Sequence, residues 1–267
     1  MKVYEVLGIP KAVKKTGPFL GLECETEGRR LPHVESAVWD TVPDHSLRNG
    51  LEYVSKPIKP ADVVPGLTAL FKAVKEADGV PAYSFRCSTH VHINVQDFTE
   101  KQLMNMIFLY MMYENVFMNY VADERVGNRF CLRFQDAQHL THEVTTFFRA
   151  TQENGLDMAI SRLRQENLKY AAMNLYTLRK YGTLEFRALE GTDDVAKIDT
   201  WVQAIVRLRS TAMKWETPQD VYAAFLDNPT DIANDLFGHA PDAFLKPGWH
   251  EQVEEGYSQN QAVLMAL

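Results

Sequence analysis

The stretches Leu22-Glu23-Cys24-Glu25-Thr26-Glu27, Thr89-His90-Val91-His92-Ile93-Asn94 and Thr183-Leu184-Glu185-Phe186-Arg187-Ala188 alternate in the same way. Side chains of a β-strand point to opposite faces in turn, so residues two apart share a side and lie about 6.5–7 Å from each other. On that reading Glu23, Glu25 and Glu27 share a face, as do His90, His92 and Asn94, and Glu185 with Arg187. The opposite faces carry Leu22 and Cys24, then Val91, Ile93 and Val95, then Leu184, Phe186 and Ala188. One side suits a core and the other suits cations and anions.

Working outward from these stretches, the first half of the chain reads as strands with one early helix. A short strand over Val3 to Leu7 precedes the Glu-rich strand of residues 19–27, and a turn-rich piece at 44–50 leads to a strand at Leu51 to Ser55 stopped by Pro57. Residues 60–77 have helical periodicity, with Val63, Leu67, Leu70, Phe71 and Val74 on one stripe. A strand from Tyr83 to Val95 follows. Thr99-Glu100-Lys101-Gln102 has capping-box spacing and opens a helix expected to reach about Ala122. Arg129 to Phe134 reads as a short strand, and His139 to about Arg164 as a helix interrupted at Gly155. Tyr170 to Leu178 and Thr183 to Leu189 suggest a hairpin around Arg179-Lys180-Tyr181-Gly182. A long amphipathic helix from Asp194 to Trp215, shorter helices at 219–226 and 231–236, and an irregular tail beyond Pro241 complete the chain. Without regular βα alternation, this order predicts an α+β fold with a largely antiparallel sheet flanked by helices. No repeat or linker divides residues 1–267, so one domain is expected, with a helical C-terminal part from about 194.

Bulk properties exclude several function classes. A formal charge of −7 and a pI near 5.6 argue against a nucleic-acid-binding surface, which would show clustered positive charge. The most apolar run, Leu103 to Tyr113, is too short for a bilayer, which takes roughly 20 apolar residues, and reads as a buried helix. Three cysteines without paired spacing give no disulfide framework. Cys24 and Cys87 read as core residues, while Cys131 is expected to point with Arg129 and Arg133. With no apolar leader at the N-terminus, a cytoplasmic protein is expected.

Each polar set has a chemistry and an ordinary alternative. Glu23 and Glu25 stand close enough to repel unless something positive lies beside them, and hard divalent cations bind such carboxylates; a solvated strand edge would look the same. Glu52, between apolar neighbours on a strand, is a third acid of this kind. The His90-x-His92 spacing places two imidazoles on one face, as a metal or phosphate site needs, and also opens many zinc hydrolase sites. Glu185 with Arg187 can be a simple ion pair, and Arg129 with Arg133 either a phosphate clamp or solvated. A sheet face bearing all of these is suited to magnesium and a polyphosphate.

The order of the sets carries more than any one of them. Gly-Leu-Glu-Cys-Glu at 21–25 is followed by Asp-His-Ser-Leu from 44 and Gly-Leu-Glu-Tyr-Val-Ser-Lys-Pro ending at 57. His-Val-His-Ile-Asn at 90–94 comes next, then Lys169-Tyr170, Asn174, Gly182-Thr183-Leu184-Glu185-Phe186-Arg187 and Gly191-Thr192. That succession resembles the amidoligase family, carboxylate–amine ligases with a glutamine synthetase-like catalytic domain found in bacteria and often in phages. The resemblance covers roughly residues 18–195. It implies ATP and two or more Mg2+ ions as cofactors, small-molecule or peptide carboxylate and amine substrates, and amide formation through an acyl phosphate. In the roles it implies, Glu23 and Glu25 contribute to different magnesium ions and Glu52 joins the second. His90 ligates the metal beside the γ-phosphate and Glu185 completes that site. His92 contacts nucleotide or substrate, and Arg187 stabilises the moving phosphoryl group, with Arg129 or Arg133 assisting. Asp44, Ser46, Lys169 and Asn174 fall where that family places substrate-facing polar residues. Fewer acids surround Glu52 than in glutamine synthetases, so the second metal site is expected to be thinner and the amine need not be ammonia. The resemblance implies no oligomeric state.

Two other classes stay open at this stage. A metal-dependent hydrolase would use His90 and His92 and recruit further histidines from His139, His142, His239 or His250. An inactive module of the same fold would use the acidic face only to hold a ligand.

Overall fold

A computed structural model describes residues 1–265 and is α+β, with one sheet covered by helices. A single helical turn, α1 (Val3–Val6), precedes β1 (Leu20–Arg29), β2 (Trp39–Val42) and β3 (Gly50–Ser55). Helix α2 (Val63–Glu76) leads to β4 (Val80–Ala82), β5 (Thr89–Asn94) and the long α3 (Glu100–Met118). Helices α4 (Gln138–Asn154), α5 (Leu156–Arg162) and α6 (Gln165–Leu168) connect to β6 (Met173–Asn174), the turn α7 (Thr177–Tyr181) and β7 (Thr183–Phe186). Five helices follow: α8 (Val195–Ala212), α9 (Pro218–Asp227), α10 (Pro229–Phe237), α11 (Pro241–Phe244) and α12 (Trp249–Leu264).

The sheet runs β2-β3-β1-β5-β7-β6, with β4 pairing the far end of β1, and every pairing is antiparallel. Its apolar face is closed as the alternation requires: Leu22, Val91, Ile93, Leu184 and Phe186 are all fully buried. Against it lies α3, whose residues from Leu103 to Met118 are buried on every side, so it behaves as a core helix. The Thr99 hydroxyl accepts from the Gln102 backbone N–H while Gln102 reaches back to Thr99, the expected capping box. Around α3 the later helices build a second layer, with Phe117 touching Trp201, Phe237 and Phe244. Among the described residues, no helix is long and apolar enough to cross a membrane.

Four expectations are corrected. Val3–Val6 is a helical turn, because its N–H groups bond Phe98 and Gln96 carbonyls at one end only and then close onto Lys2 and Val3. The strand read over Tyr83 to Val95 breaks: residues 83–88 form a turn, with the Cys87 N–H donating to the Ser84 carbonyl. Residues 129–134 make only an isolated bridge, Leu132 to Ala171, and are otherwise irregular. The tail beyond Pro241 is helical, since Trp249, Val253, Tyr257 and Val263 recur at helical spacing and find a partner surface on the molecule. Of the hairpin read over 170–189 only Met173 and Asn174 pair with Phe186 and Glu185; Thr177 and Leu178 belong to α7, which ends at Gly182 with φ +65°, a left-handed C-cap that favours glycine.

Candidate active site

Strand pairing gathers the three polar faces into one. Glu23 lies opposite His90 across β1 and β5, and Glu25 opposite Glu52 across β1 and β3. Glu185 stands between His92 of β5 and Asn174 of β6. Directly opposed residues on one face approach within about 5.5 Å at Cβ, so these pairs meet without further adjustment.

His90 is the hub. Its Nδ1 is 2.9 Å from Glu23 Oε2 and 3.4 Å from Glu185 Oε1, and its Nε2 is 2.7 Å from the Ser88 hydroxyl. Ser88 in turn holds Glu25, donating from its backbone N–H and its hydroxyl to Oε2 at 2.7 and 2.6 Å. The second oxygen of Glu23 lies 3.1 Å from His92 Nε2, while His92 Nδ1 faces the Thr183 hydroxyl at 3.1 Å. Asn174 Nδ2 donates to Glu185 Oε2 at 2.7 Å, and the Arg187 guanidinium pairs with the other Glu185 oxygen. The loop carrying Ser88 approaches β1 so closely that Gly191, packed between them, has no room for a side chain. A Cβ there would sit 2.6 Å from Cys87 Cβ and 3.1 Å from the Glu25 carbonyl.

Charge is distributed unevenly over this face. Burial pushes the Glu23 carboxyl up, but hydrogen bonds and charges from His90 and His92 outweigh it and hold Glu23 well below the usual range. Burial likewise raises Glu185, and Arg187, His90 and His92 bring it below its ordinary value. Burial disfavours the His92 imidazolium, yet the Glu23 hydrogen bond and the Glu185 charge raise its pKa overall. Glu52 goes the other way: burial, then Glu23, Glu25 and Asp44, push it up to about 9. Among the described residues, no lysine or arginine forms an ion pair with Glu25, Glu52 or Asp44.

Three sets of candidate ligand atoms lie within 4.8 Å of one another: Glu23, Glu52 and His90; Glu23, His92 and Glu185; and Glu25, Asp44 and Glu52. Carboxylate oxygen dominates all three, with at most one imidazole per set and no thiolate. That donor chemistry fits a hard divalent cation such as magnesium. A cation there would also offset the burial and the neighbouring negative charge that raise Glu52.

Residues 25–208 match a family model described as "Putative amidoligase enzyme". The chain belongs to the amidoligase family. None of the curated proteins compared matches it. Among solved structures it is similar to the crystal structure of a bifunctional glutathione synthetase from Pasteurella multocida, at 12% identity and a TM-score of 0.39, covering 92% of this chain and 48% of that one. The chain thus spans about half the length of that structure.

Two cavities meet at the site of this amidoligase-family chain. One of about 470 Å³, lined largely by apolar groups including Ile9, Val13, Phe19, Leu20, Val54 and Pro57, opens at the Gly21 and Asn94 ends of the strands. The other, about 360 Å³, is polar and lined by Lys169, Asn174, Glu185 and Arg187 among others. Glu23, His92, Lys180 and Tyr181 border both.

Of the residues singled out in the sequence, Glu23, Glu25, Glu52, His90, His92, Asn174, Glu185 and Arg187 converge. Asp44 lies beside Glu25 and Glu52, its ligand atoms within 4.8 Å of theirs. Ser46 is exposed and holds Asp44, donating from its N–H and hydroxyl at 2.8 Å each. Lys169 lines the polar cavity. Arg129 is exposed, its guanidinium 4.9 Å from the Phe130 ring centroid. Arg133 is not in the site: it pairs with Asp136 at 2.7 Å and donates to Asn115, because residues 129–134 form no strand to align it with Arg129. Cys131 is fully buried, its thiol pushed up by burial, and it shares no face with those arginines. His139, His142, His239 and His250 join none of the ligand sets among the described residues.

Sequence reasoning missed three contributors. Ser88 continues the alternation Ser88-Thr89-His90-Val91-His92, so period two alone could have found it. Lys180, which borders both cavities, and Arg125, whose guanidinium donates to the Arg187 and Ala188 carbonyls, left no such signal, since their positions depend on contacts distant in the chain.

Proposed function

We propose that this protein is an ATP- and Mg2+-dependent carboxylate–amine ligase with a glutamine synthetase-like catalytic sheet, making an amide through an acyl phosphate. The observation that carries this reading is the set of three overlapping carboxylate and imidazole clusters on one rigid sheet face, with the Arg187 guanidinium among them. A carboxylate is a poor electrophile. Transfer of the γ-phosphoryl group to a carboxylate oxygen releases ADP and leaves an acyl phosphate; attack of the amine at that carbonyl carbon then expels phosphate. Such a transfer asks a protein mainly for positioning and charge neutralisation.

The residues supply both. Magnesium, when bound, would neutralise the phosphate oxygens and fix their geometry, held by Glu23 with His90, His92 or Glu185 on one side and by Glu25, Asp44 and Glu52 on the other. Ser88 locks the Glu25 carboxylate, and Asn174 locks Glu185, so that neither must reorganise during the reaction. Arg187 offers positive charge to the moving phosphoryl group. The apolar cavity suits a nucleotide base, and the polar cavity with Lys169, Lys180 and Arg187 suits phosphate and an anionic substrate. The carboxylate and the amine are small molecules or peptide groups.

The test is ADP release from purified protein given ATP, Mg2+ and a panel of carboxylates and amines. Release that depends on both partners supports the reading. Nucleotide binding without turnover on any pairing would favour a ligand-holding module, and hydrolysis that ignores ATP a metal-dependent hydrolase. Absence of both binding and release overturns it.

A further inference from the structure

Arg125 lies in a turn after α3 and is fully buried, yet no carboxylate pairs with it among the described residues. Its three guanidinium nitrogens are spent on backbone carbonyls. Nε donates to Ala188 at 3.0 Å, Nη2 to Arg187 at 2.8 Å and Nη1 to Phe85 at 3.2 Å. A buried cation satisfied only by carbonyls is costly to retain, and a planar fork holds three carbonyls in fixed directions from three separate nitrogens, which a compact ammonium does not.

The carbonyls it joins belong to two separate pieces of the site. Arg187 and Ala188 continue β7, carrying the guanidinium that pairs with Glu185. Phe85 begins the turn that delivers Ser88 to Glu25 and His90. The two pieces are joined just beyond Ala188 by two backbone bonds, the Thr89 N–H to the Leu189 carbonyl at 3.0 Å and the Gly191 N–H to the Cys87 carbonyl at 2.9 Å, and Arg125 adds a link at Phe85, Arg187 and Ala188 themselves. The β7 ladder ends at Phe186, and Ser88 makes only an isolated bridge to Glu190. Asn128 Nδ2, in the same turn region as Arg125, adds a second hold on the Phe85 carbonyl at 3.1 Å.

We propose that Arg125 is a positioning residue, whose guanidinium sets Arg187 and the Ser88 turn in register by gripping their backbones. It touches no substrate. The effect on turnover rests on the ligase reading above; the effect on Arg187 does not.

Two variants, Arg125→Ala and Arg125→Lys, test it with two readouts. The first is the arginine Nε–H correlation spectrum of the metal-free protein. The Arg187 signal should shift or broaden in both variants, while that of Arg209, buried and bonded to the Asn94 carbonyl at 2.9 Å, stays in place as a control for the fold. The second is ADP release, expected to fall roughly 100-fold with KM for ATP little changed, as a misplacement of catalytic groups by about 1 Å would cause. Millimolar guanidinium should restore part of it in Arg125→Ala, and ammonium should not. An unmoved Arg187 signal in a folded variant overturns the proposal, as does lost turnover that guanidinium fails to restore. Loss of both arginine signals in both variants would make Arg125 a stability element and overturns it too. A shifted Arg187 signal in a protein that releases no ADP under any condition supports the positioning role and removes the ligase reading instead.

Discussion

The two ends of the polar face solve the same electrostatic problem differently. At the Glu23, His92 and Glu185 end each carboxylate meets an imidazole, an amide N–H or a guanidinium, and the acids are held in their charged form. At the Glu25, Asp44 and Glu52 end, hydroxyl and N–H donors from Ser88 and Ser46 are present but no lysine or arginine among the described residues is paired, and Glu52 rises to about 9. The first end is compensated by the protein itself. The second is poised for a cation from outside, and metal binding there is expected to release the proton that Glu52 holds.

The largest expected effect comes from breaking the compensated end. Arg187→Ala should lower turnover by roughly 10³-fold, as loss of an arginine acting on a transferring phosphoryl group does, with little change in nucleotide affinity. Calorimetric binding of a non-hydrolysable ATP analogue separates the two, and an equal loss of affinity would make Arg187 a ground-state clamp. Next in size is the proton linkage. Mg2+ binding near pH 7 should release protons from wild type and fewer from Glu52→Gln, read by calorimetry in buffers of different ionisation enthalpy.

Stability should divide the two ends by sign. With Glu52 raised, the metal-free folded state binds more protons than the unfolded chain between its ordinary pKa and about 9, so this group's contribution falls as pH rises through that window. Glu23, being depressed, contributes stability above its ordinary pKa that is lost as pH falls. Thermal melts across pH should therefore flatten on the alkaline side in Glu52→Gln, and on the acid side in Glu23→Gln. An unchanged profile in either variant would contradict the corresponding assignment.

A smaller effect is expected at the support of Asp44. Ser46→Ala should weaken Mg2+ binding about tenfold, the low end for a group that orients a ligand, without abolishing turnover. Smallest of all is Arg133→Ala, which should cost about 1–2 kcal/mol of stability through its Asp136 and Asn115 bonds and leave turnover alone. A turnover defect in that variant would return Arg133 to the site.

Much of this comparison was legible in residue order. The alternation in 22–27, 89–94 and 183–188 correctly divided acids and imidazoles from core residues, because side-chain direction in a strand depends only on parity. The Thr99 to Gln102 cap and the buried helix behind it were legible for the same local reason. Where the reading failed, a partner was out of sight. Arg129 to Phe134 has strand-like residues but no neighbouring strand to pair with beyond Leu132, and the tail after Pro241 becomes helical against surfaces far away in the chain.

Sequence alone determined which residues could share a face and which chemistry they carry, since period two and side-chain type are properties of the chain itself. Tertiary structure decided that β1 lies between β3 and β5, so that Glu25 meets Glu52 and Glu23 meets His90. It also brought Asp44 and Ser88 to that face from irregular segments, and Arg125 to the backbone of Arg187 and Ala188. The physical reason is that ligand sets and carbonyl clamps are made of contacts between residues distant in sequence, and only strand register and packing determine which of them meet.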